Sequence, residues 1–249
     1  MPVIGRCSIR NEGGRTLSLI AARQERIGEA SRANLTHEAY VLIKREIMSN
    51  QLPPGFQSME TDIAERLGIS RTPVREALIK LAEEGLIEVR PRRGMRVLPI
   101  STSEMRDIYD LLQILEPECA ATLARDRLSA EQVKRLAAAV REMESAIDAG
   151  KLDKWAKADD RFHRLHLEFT RNRRLARIIG GLLDQAHRAR MFTLKFREVP
   201  RKSTADHSVM VQLLQEGDLH RVRAFYRRHR RLAARELFDI LERYELHRL

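Results

Sequence analysis

Asp159 and His163 stand four residues apart in the run Asp159-Asp160-Arg161-Phe162-His163. On a helix they project from one face, about one turn apart. Two further histidines carry an inward mark. His207 precedes Val211 and Leu214 at i+4 and i+7, and His229 lies in the stripe Val222, Phe225, His229, Leu232, so both belong to apolar helix faces. A polar group carried into a helical interior needs a partner. Three imidazoles and a carboxylate converging there suit a divalent transition metal such as Zn, Ni or Mn. In an octahedral shell, four protein ligands leave two positions for water or a bidentate anion. The same spacing also fits histidines that only hydrogen-bond within a core, since D-x-x-x-H arises often by chance. His166 shares the Asp159/His163 face and would line the same cavity. His187 and His220 lack inward placement and are expected in solvent or in local pairs.

The elements that must hold these residues are helices. Ser101 with Glu104, and Ser129 with Gln132, have capping-box spacing. Gly150 and Gly217 read as helix stops, with Asp153 and Asp218 each placed to cap the next helix. Pro200 breaks the chain once more. The pattern predicts helices over 102–126, 129–149, 153–170, 174–196, 203–216 and 218–246, short-linked and therefore an antiparallel bundle.

A second constellation lies earlier, from Pro54 to Pro99. A helix over about Met59 to Leu67 turns inward Ile63, Ala64 and Leu67. Gly68 makes a turn, Ile69 plugs the corner, Ser70 offers an N-cap hydroxyl, and Pro73 falls in a first helical turn. Val74, Ala77, Leu78 and Leu81 then commit one face of a further helix to the core, leaving Arg71, Thr72 and Arg75 outside at its N-terminal end. That is where a recognition helix meets base edges. Two extended runs, 86–89 and 95–98, flank the tip Arg90-Pro91-Arg92-Arg93-Gly94, whose arginines suit phosphate or minor-groove contact. A preceding helix spans about 36–49, with Tyr40, Ile43 and Ile47 inward, and ends before Leu52-Pro53-Pro54-Gly55. An ordinary three-helix core with a solvated hairpin is the plainer alternative. Agreement among helix spacing, cap, turn and basic tip favours a DNA-reading head with Arg71, Thr72, Arg75, Arg92, Arg93 and Gly94 at its contact surface.

Composition alone is a weaker guide. The 249-residue chain has a formal charge of +11, which favours an anionic partner. Yet Gln57 to Val97 holds eight Lys/Arg against seven Asp/Glu, so the positions of the arginines carry the reading. Cys7 and Cys119 are the only cysteines, too few and too far apart for a disulfide framework. No apolar run approaches the roughly 18 residues of a membrane span, and the charged N-terminus lacks a secretory core; a cytoplasmic protein is expected. Residues 1–33 show little periodicity and read as a mobile extension, 34–100 as the reading head, and 101–249 as the helical domain.

The segment Gly68-Ile69-Ser70-Arg71-Thr72-Pro73-Val74-Arg75-Glu76-Ala77-Leu78, with the Arg-Gly hairpin behind it, resembles the winged helix-turn-helix of GntR-superfamily transcription regulators. The run from Asp159 through His163 to Asn172, with His207 and His229 beyond it, resembles the FCD domain of the FadR/VanR-like branch. The resemblance covers about residues 35–245. It implies a mainly α fold, with the winged helix-turn-helix ahead of an all-helical bundle. It further implies a homodimeric regulator, most often a repressor, on a palindromic double-stranded operator, and a small organic acid held beside the metal at Asp159, His163, His207 and His229.

Three departures stand out. Thr61 occupies a position that is often Arg. The run Leu111 to Glu116 lacks the Arg that reaches the effector's carboxylate in many members, Leu112 standing in its place. Thr170-Arg171-Asn172 replaces Ser-Gly-Asn. Arg188 or Arg190 is expected to supply the missing charge beside His166. Two rivals remain at this stage: a metal-dependent hydrolase built on the same Asp/His cluster, and an architectural DNA-binding protein without a sensor.

Overall fold

The computed structural model describes residues 32–99 and 101–244; nearly all of the expected extension, and Cys7 with it, lies outside them. The first helix, α1, runs over 32–48. It buries Ala39, Ile43 and Ile47, while Tyr40 sits at its edge and donates its hydroxyl to Glu84 at 2.6 Å. Helices α2 (Glu60–Leu67) and α3 (Arg71–Glu83) come next, with Gly68 in the left-handed region at φ 66° between them. Ile63, Ile69, Val74, Ala77, Leu78 and Leu81 close the core of this half.

The two expected strands form as β2 (Ile87–Arg90) and β3 (Gly94–Val97). A third strand, β1 (Gln57–Ser58), pairs with the other edge of β3, giving the antiparallel order β1-β3-β2. Two residues are too short to register as alternation, so the pattern did not foretell β1. Its presence explains Gly94. A Cβ there would collide with the Ser58 carbonyl oxygen, and the backbone is left-handed at φ 74°. Gly94 is buried under β1, so its expected place at the DNA contact surface is corrected: it lets the sheet close.

Behind the head come α4 (Thr102–Asp126), α5 (Ala130–Asp148), α6 (Leu152–Phe169), α7 (Arg173–Thr193), a 3-10 turn (Leu194–Phe196), α8 (Arg201–Glu216) and α9 (Leu219–Arg243). Both expected capping boxes form. Asp218 caps α9 by accepting from the backbone N–H of His220 and Arg221, and Gly217 ends α8 in the left-handed conformation. Asp153 does not cap; Lys151 holds the N-cap position of α6, and Asp153 lies in its first turn. The long helices α4 and α9 pack together, α5 lies on α6 and α8, and α7 packs on α4 and α6. Along α9 the buried residues are Val222, Tyr226, His229, Arg230, Ala234, Leu237, Ile240 and Leu241. The expected stripe through Phe225 and Leu232 is thus displaced toward the i+4 direction. No described helix is long and apolar enough to cross a membrane.

Candidate ligand chamber and nucleic-acid interface

Helices α6, α8 and α9 bring His163, His207 and His229 to one point. Each is buried, and one potential ligand atom from each lies within 4.8 Å of the others. Two of their outward nitrogens are hydrogen-bonded. His207 Nδ1 donates to the Ser203 carbonyl at 2.6 Å, and His229 Nδ1 to a carboxylate oxygen of Asp206 at 3.3 Å. His163 Nδ1 stands 3.2 Å from Glu116 Oε1 without making a hydrogen bond. Oxygen acceptors on the Nδ1 side of His207 and His229 leave their Nε2 atoms with a lone pair, the arrangement that orients imidazoles as metal ligands. The Nε2 atoms of His163 and His207 face each other at 3.3 Å. Two lone pairs at that distance repel unless a cation or proton stands between them. Asp159, the fourth expected member, places Oδ1 3.4 Å from His207 Nε2 and 4.0 Å from His163 Nε2. Its other oxygen pairs with Arg190.

Electrostatics keep this set in ligand form. Burial, then the field of His229, pushes His207 down to about 3, against the pull of Asp159. Burial and Arg230 hold His163 well below the imidazole range. Burial alone would raise the Asp159 carboxyl, but Arg190, then His163 and His207, overbalance it and hold it below the usual carboxylate range. Ligating histidines must be neutral and a ligating carboxylate ionised, so the donor set fits a divalent ion of the Zn, Ni or Mn kind.

The remaining expected pocket residues part company. Arg190 enters the chamber. His166 does not open into it: Nδ1 donates to the Phe162 carbonyl at 2.9 Å and Nε2 meets the Tyr226 hydroxyl at 2.5 Å. Arg188 points elsewhere, with Nη2 donating to the Leu98 carbonyl at 2.6 Å. His187, expected in solvent or in a local pair, is buried 3.8 Å from Asp160 of another helix, whereas His220 is exposed. Sequence reasoning missed Arg230 and Glu116, a fully buried ion pair between α9 and α4. A signal existed: Arg230 continues the i+4 row Val222, Tyr226, and Glu116 sits on α4 beside buried Leu112.

At the other end of the molecule, Arg71, Thr72 and Arg75 are exposed on α3. The acid beside them, Glu76, is turned to α1, where it meets Arg32 and Thr36. Ser70 is the N-cap residue by backbone, but its hydroxyl makes no capping bond. On the hairpin, Arg90 and Arg96 are drawn to Glu88, while Arg92 and Arg93 stand exposed at the turn.

Comparison with known proteins decides what carries this pair of sites. Residues 35–97 match the model of bacterial regulatory proteins of the gntR family, and residues 107–232 match the FCD domain. The chain belongs to the GntR family, with an FCD domain behind its helix-turn-helix. It is 30% identical to the HTH-type transcriptional repressor RspR of Escherichia coli K12, over 74% of this chain and 80% of that one. An HTH-type regulator from the TAR-I ttuE-ttuC' intergenic region of Agrobacterium vitis is 38% identical over 53% of this chain and 79% of its own length. Among solved structures, E. coli McbR/YncC superposes with a TM-score of 0.74 at 20% identity, over 82% of this chain and 97% of that one. A GntR regulator from Rhodococcus sp. RHA1 gives 0.71 at 17% identity over the same shares. These structures share the fold. The protein is a transcriptional regulator and not an enzyme, which removes the hydrolase reading.

In this GntR-family chain the two halves meet along α7. Asp184 forms an ion pair with Lys44 of α1 at 2.6 Å, and Arg164 of α6 bridges Asp160 and Asp184 at 2.7 and 2.6 Å. Gln185 donates to the Gly85 carbonyl at 3.2 Å, and Arg188 to Leu98. Burial alone would lower Lys44, but Asp184 and Glu84 carry it above the ordinary lysine value. The same helix bears Arg190, the partner of Asp159.

Proposed function

We propose that this regulator acts as a homodimeric repressor on a palindromic double-stranded operator. Its grip is controlled by a small organic acid bound beside a divalent metal at His163, His207, His229 and Asp159. The observation that carries the reading is the orientation of the His207 and His229 imidazoles, each with Nδ1 toward an oxygen acceptor and Nε2 free for an ion. Bound there, the metal supplies a Lewis-acidic point for a carboxylate. The chain's own residues do the rest: Asp206 and Ser203 orient two of the rings, and Arg190 holds Asp159 ionised. A cavity of about 510 Å³ between α8 and α9 reaches His229, Asp206 and Ser203 from outside.

On DNA, Arg71 and Arg75 reach base edges or flanking phosphates, Thr72 a phosphate or methyl group, and Arg92 and Arg93 the backbone or minor groove. Two-fold symmetry fits the exposed apolar residues Leu111 and Ile114 on α4 and Ile178 on α7, at 45%, 57% and 55% exposure, which a second copy would cover. Coupling runs through α7. A ligand shifts an equilibrium only by its differential affinity for two states, and one that alters the Asp159–Arg190 pair acts on the helix that also carries Asp184, Gln185 and Arg188. An architectural protein without a sensor has no use for such a chamber.

Untagged protein analysed for metal and titrated onto its own upstream DNA tests the reading. About one ion per chain is expected, together with sequence-selective binding and a change in affinity on chelation. Metal-free protein whose DNA binding is unselective and indifferent to chelator would overturn it.

A further inference from the structure

The three imidazoles and Asp159 are sealed in. Asp159, His163 and His207 are at most 2% exposed and His229 is 5% exposed, so neither an ion nor a ligand reaches their meeting point unless a wall moves. The cavity between α8 and α9 touches one of the four, His229, beside Asp206. Two of its walls are those helices. The third is the connection from α7 to α8, residues 194–200, which contributes Phe196, Glu198, Val199 and Pro200.

Helical walls are tied residue by residue, and this connection is not. Among the described residues, its backbone hydrogen bonds stay within it or run to the two helices it joins; Pro200 has no N–H to offer. Two side chains hold it down. Phe196 lies on the Tyr244 ring at the end of α9, with centroids 4.3 Å apart. Arg197 Nη1 pairs with Glu236 Oε2 of α9 at 2.7 Å. The Arg197 side chain is 4% exposed and its Nε is buried without a hydrogen-bond partner, whereas Glu236 is 41% exposed. A buried cation therefore depends on a single acid that water also reaches. Such a closure is marginal: opening breaks one ion pair with a half-exposed carboxylate and returns an unpaired donor to water. Segments held this way are the ones that open locally while the fold stays intact.

We propose that residues 194–200 form a strap that gates the chamber, latched by Arg197 on Glu236 and by Phe196 on Tyr244, and that its opening sets how fast an ion enters and leaves. The inference rests on reading His163, His207, His229 and Asp159 as the ion's ligands. None of the latch residues belongs to that set, and the strap is down both before and after the ion binds. Loosening it therefore speeds entry and exit alike and leaves the affinity where it was, since both states are biased equally.

Full-length protein loaded with zinc is mixed with excess chelator, and the release rate is compared with the equilibrium zinc affinity of the same samples. Glu236→Gln and Phe196→Ala each release zinc about ten-fold faster, as expected for the loss of one charge-assisted or ring contact, with affinity held within about two-fold. Release at the parental rate in both variants overturns the gate. Faster release matched by an equal loss of affinity also overturns it, because the strap would then only support the site. Trypsin gives a second readout that needs no metal. Scission after Arg197, located by mass spectrometry, tracks the open population and is about ten-fold faster in Glu236→Gln, with or without EDTA. Unchanged scission overturns the latch. The two readings also separate. A protein that takes up no zinc, yet is cut faster after Arg197 in the variant, refutes the metal site and keeps the strap as a moving wall. Zinc taken up and released at one rate in parent and variants refutes the strap and keeps the site.

Discussion

The reading head and the bundle treat charge in opposite ways. Among the described residues of the head, the buried polar or charged side chains reduce to Thr36, and the arginines of α3 and the hairpin tip face outward. The bundle buries Glu116, Asp159, Asp184, Arg188, Arg190, Arg230 and five histidines. A surface arginine costs its fold little and can be spent on a partner. A buried ionic group is tolerated only when every member of its network is present. The contrast separates a half that keeps its charges outside from one that pairs them inside.

The sharpest way to break this contrast is to strand a charge. Arg190→Met leaves Asp159 buried without its cation and is expected to cost about 3–5 kcal/mol in urea unfolding, whereas Arg71→Ala should stay within about 0.5 kcal/mol. Equal effects would erase the distinction. Acid is the next lever. Burial pushes His166 down to about 4 and His207 to about 3, while unfolded histidines titrate near about 6.5. The folded chain thus refuses protons that the unfolded chain accepts. Stability is complete above about pH 6.5 and falls as pH drops toward about 4, by a few kcal/mol in metal-free protein; urea midpoints at stepped pH check the slope.

On the head, Arg75→Ala should cost about 1–3 kcal/mol on a footprinted operator and relax one base position. Arg92→Ala should weaken all sequences alike and lower the salt slope by about 1. Fluorescence anisotropy across salt reads both, and an unchanged Arg75→Ala affinity rejects α3 as the reader. The smallest effect is expected where the halves touch. Lys44→Met should leave operator affinity in metal-free protein nearly intact and shrink its response to chelator, a coupling worth about 1–3 kcal/mol when whole. A full response in Lys44→Met would move the coupling away from α7.

Legibility in the sequence depends on which signals are local. Ser101, Ser129, Gly217 and Asp218 act on their own neighbours, so spacing alone placed the helices of the bundle. His163, His207 and His229 stand out because imidazoles on apolar faces are uncommon. Arg230 and Glu116 escaped because a charged residue is read as exposed unless its partner is known, and that partner is 114 positions away. His187 was misjudged for the same reason, Asp160 lying on another helix. Gly94 was assigned to DNA because the strand that presses on it, β1, is two residues long. Arg188 looked like a chamber residue because its contact, Leu98, belongs to the other half.

Helix α7 joins Arg190 to Asp184 through about 9 Å of unbroken rise. No break intervenes, so on the proposed reading a shift at Arg190 is carried to Asp184 by the helix itself. The teeth that mesh with the head and those that line the chamber are different side chains on one rod. If the chamber is a sensor, descendants can retune what it holds without regrinding the contacts to the head.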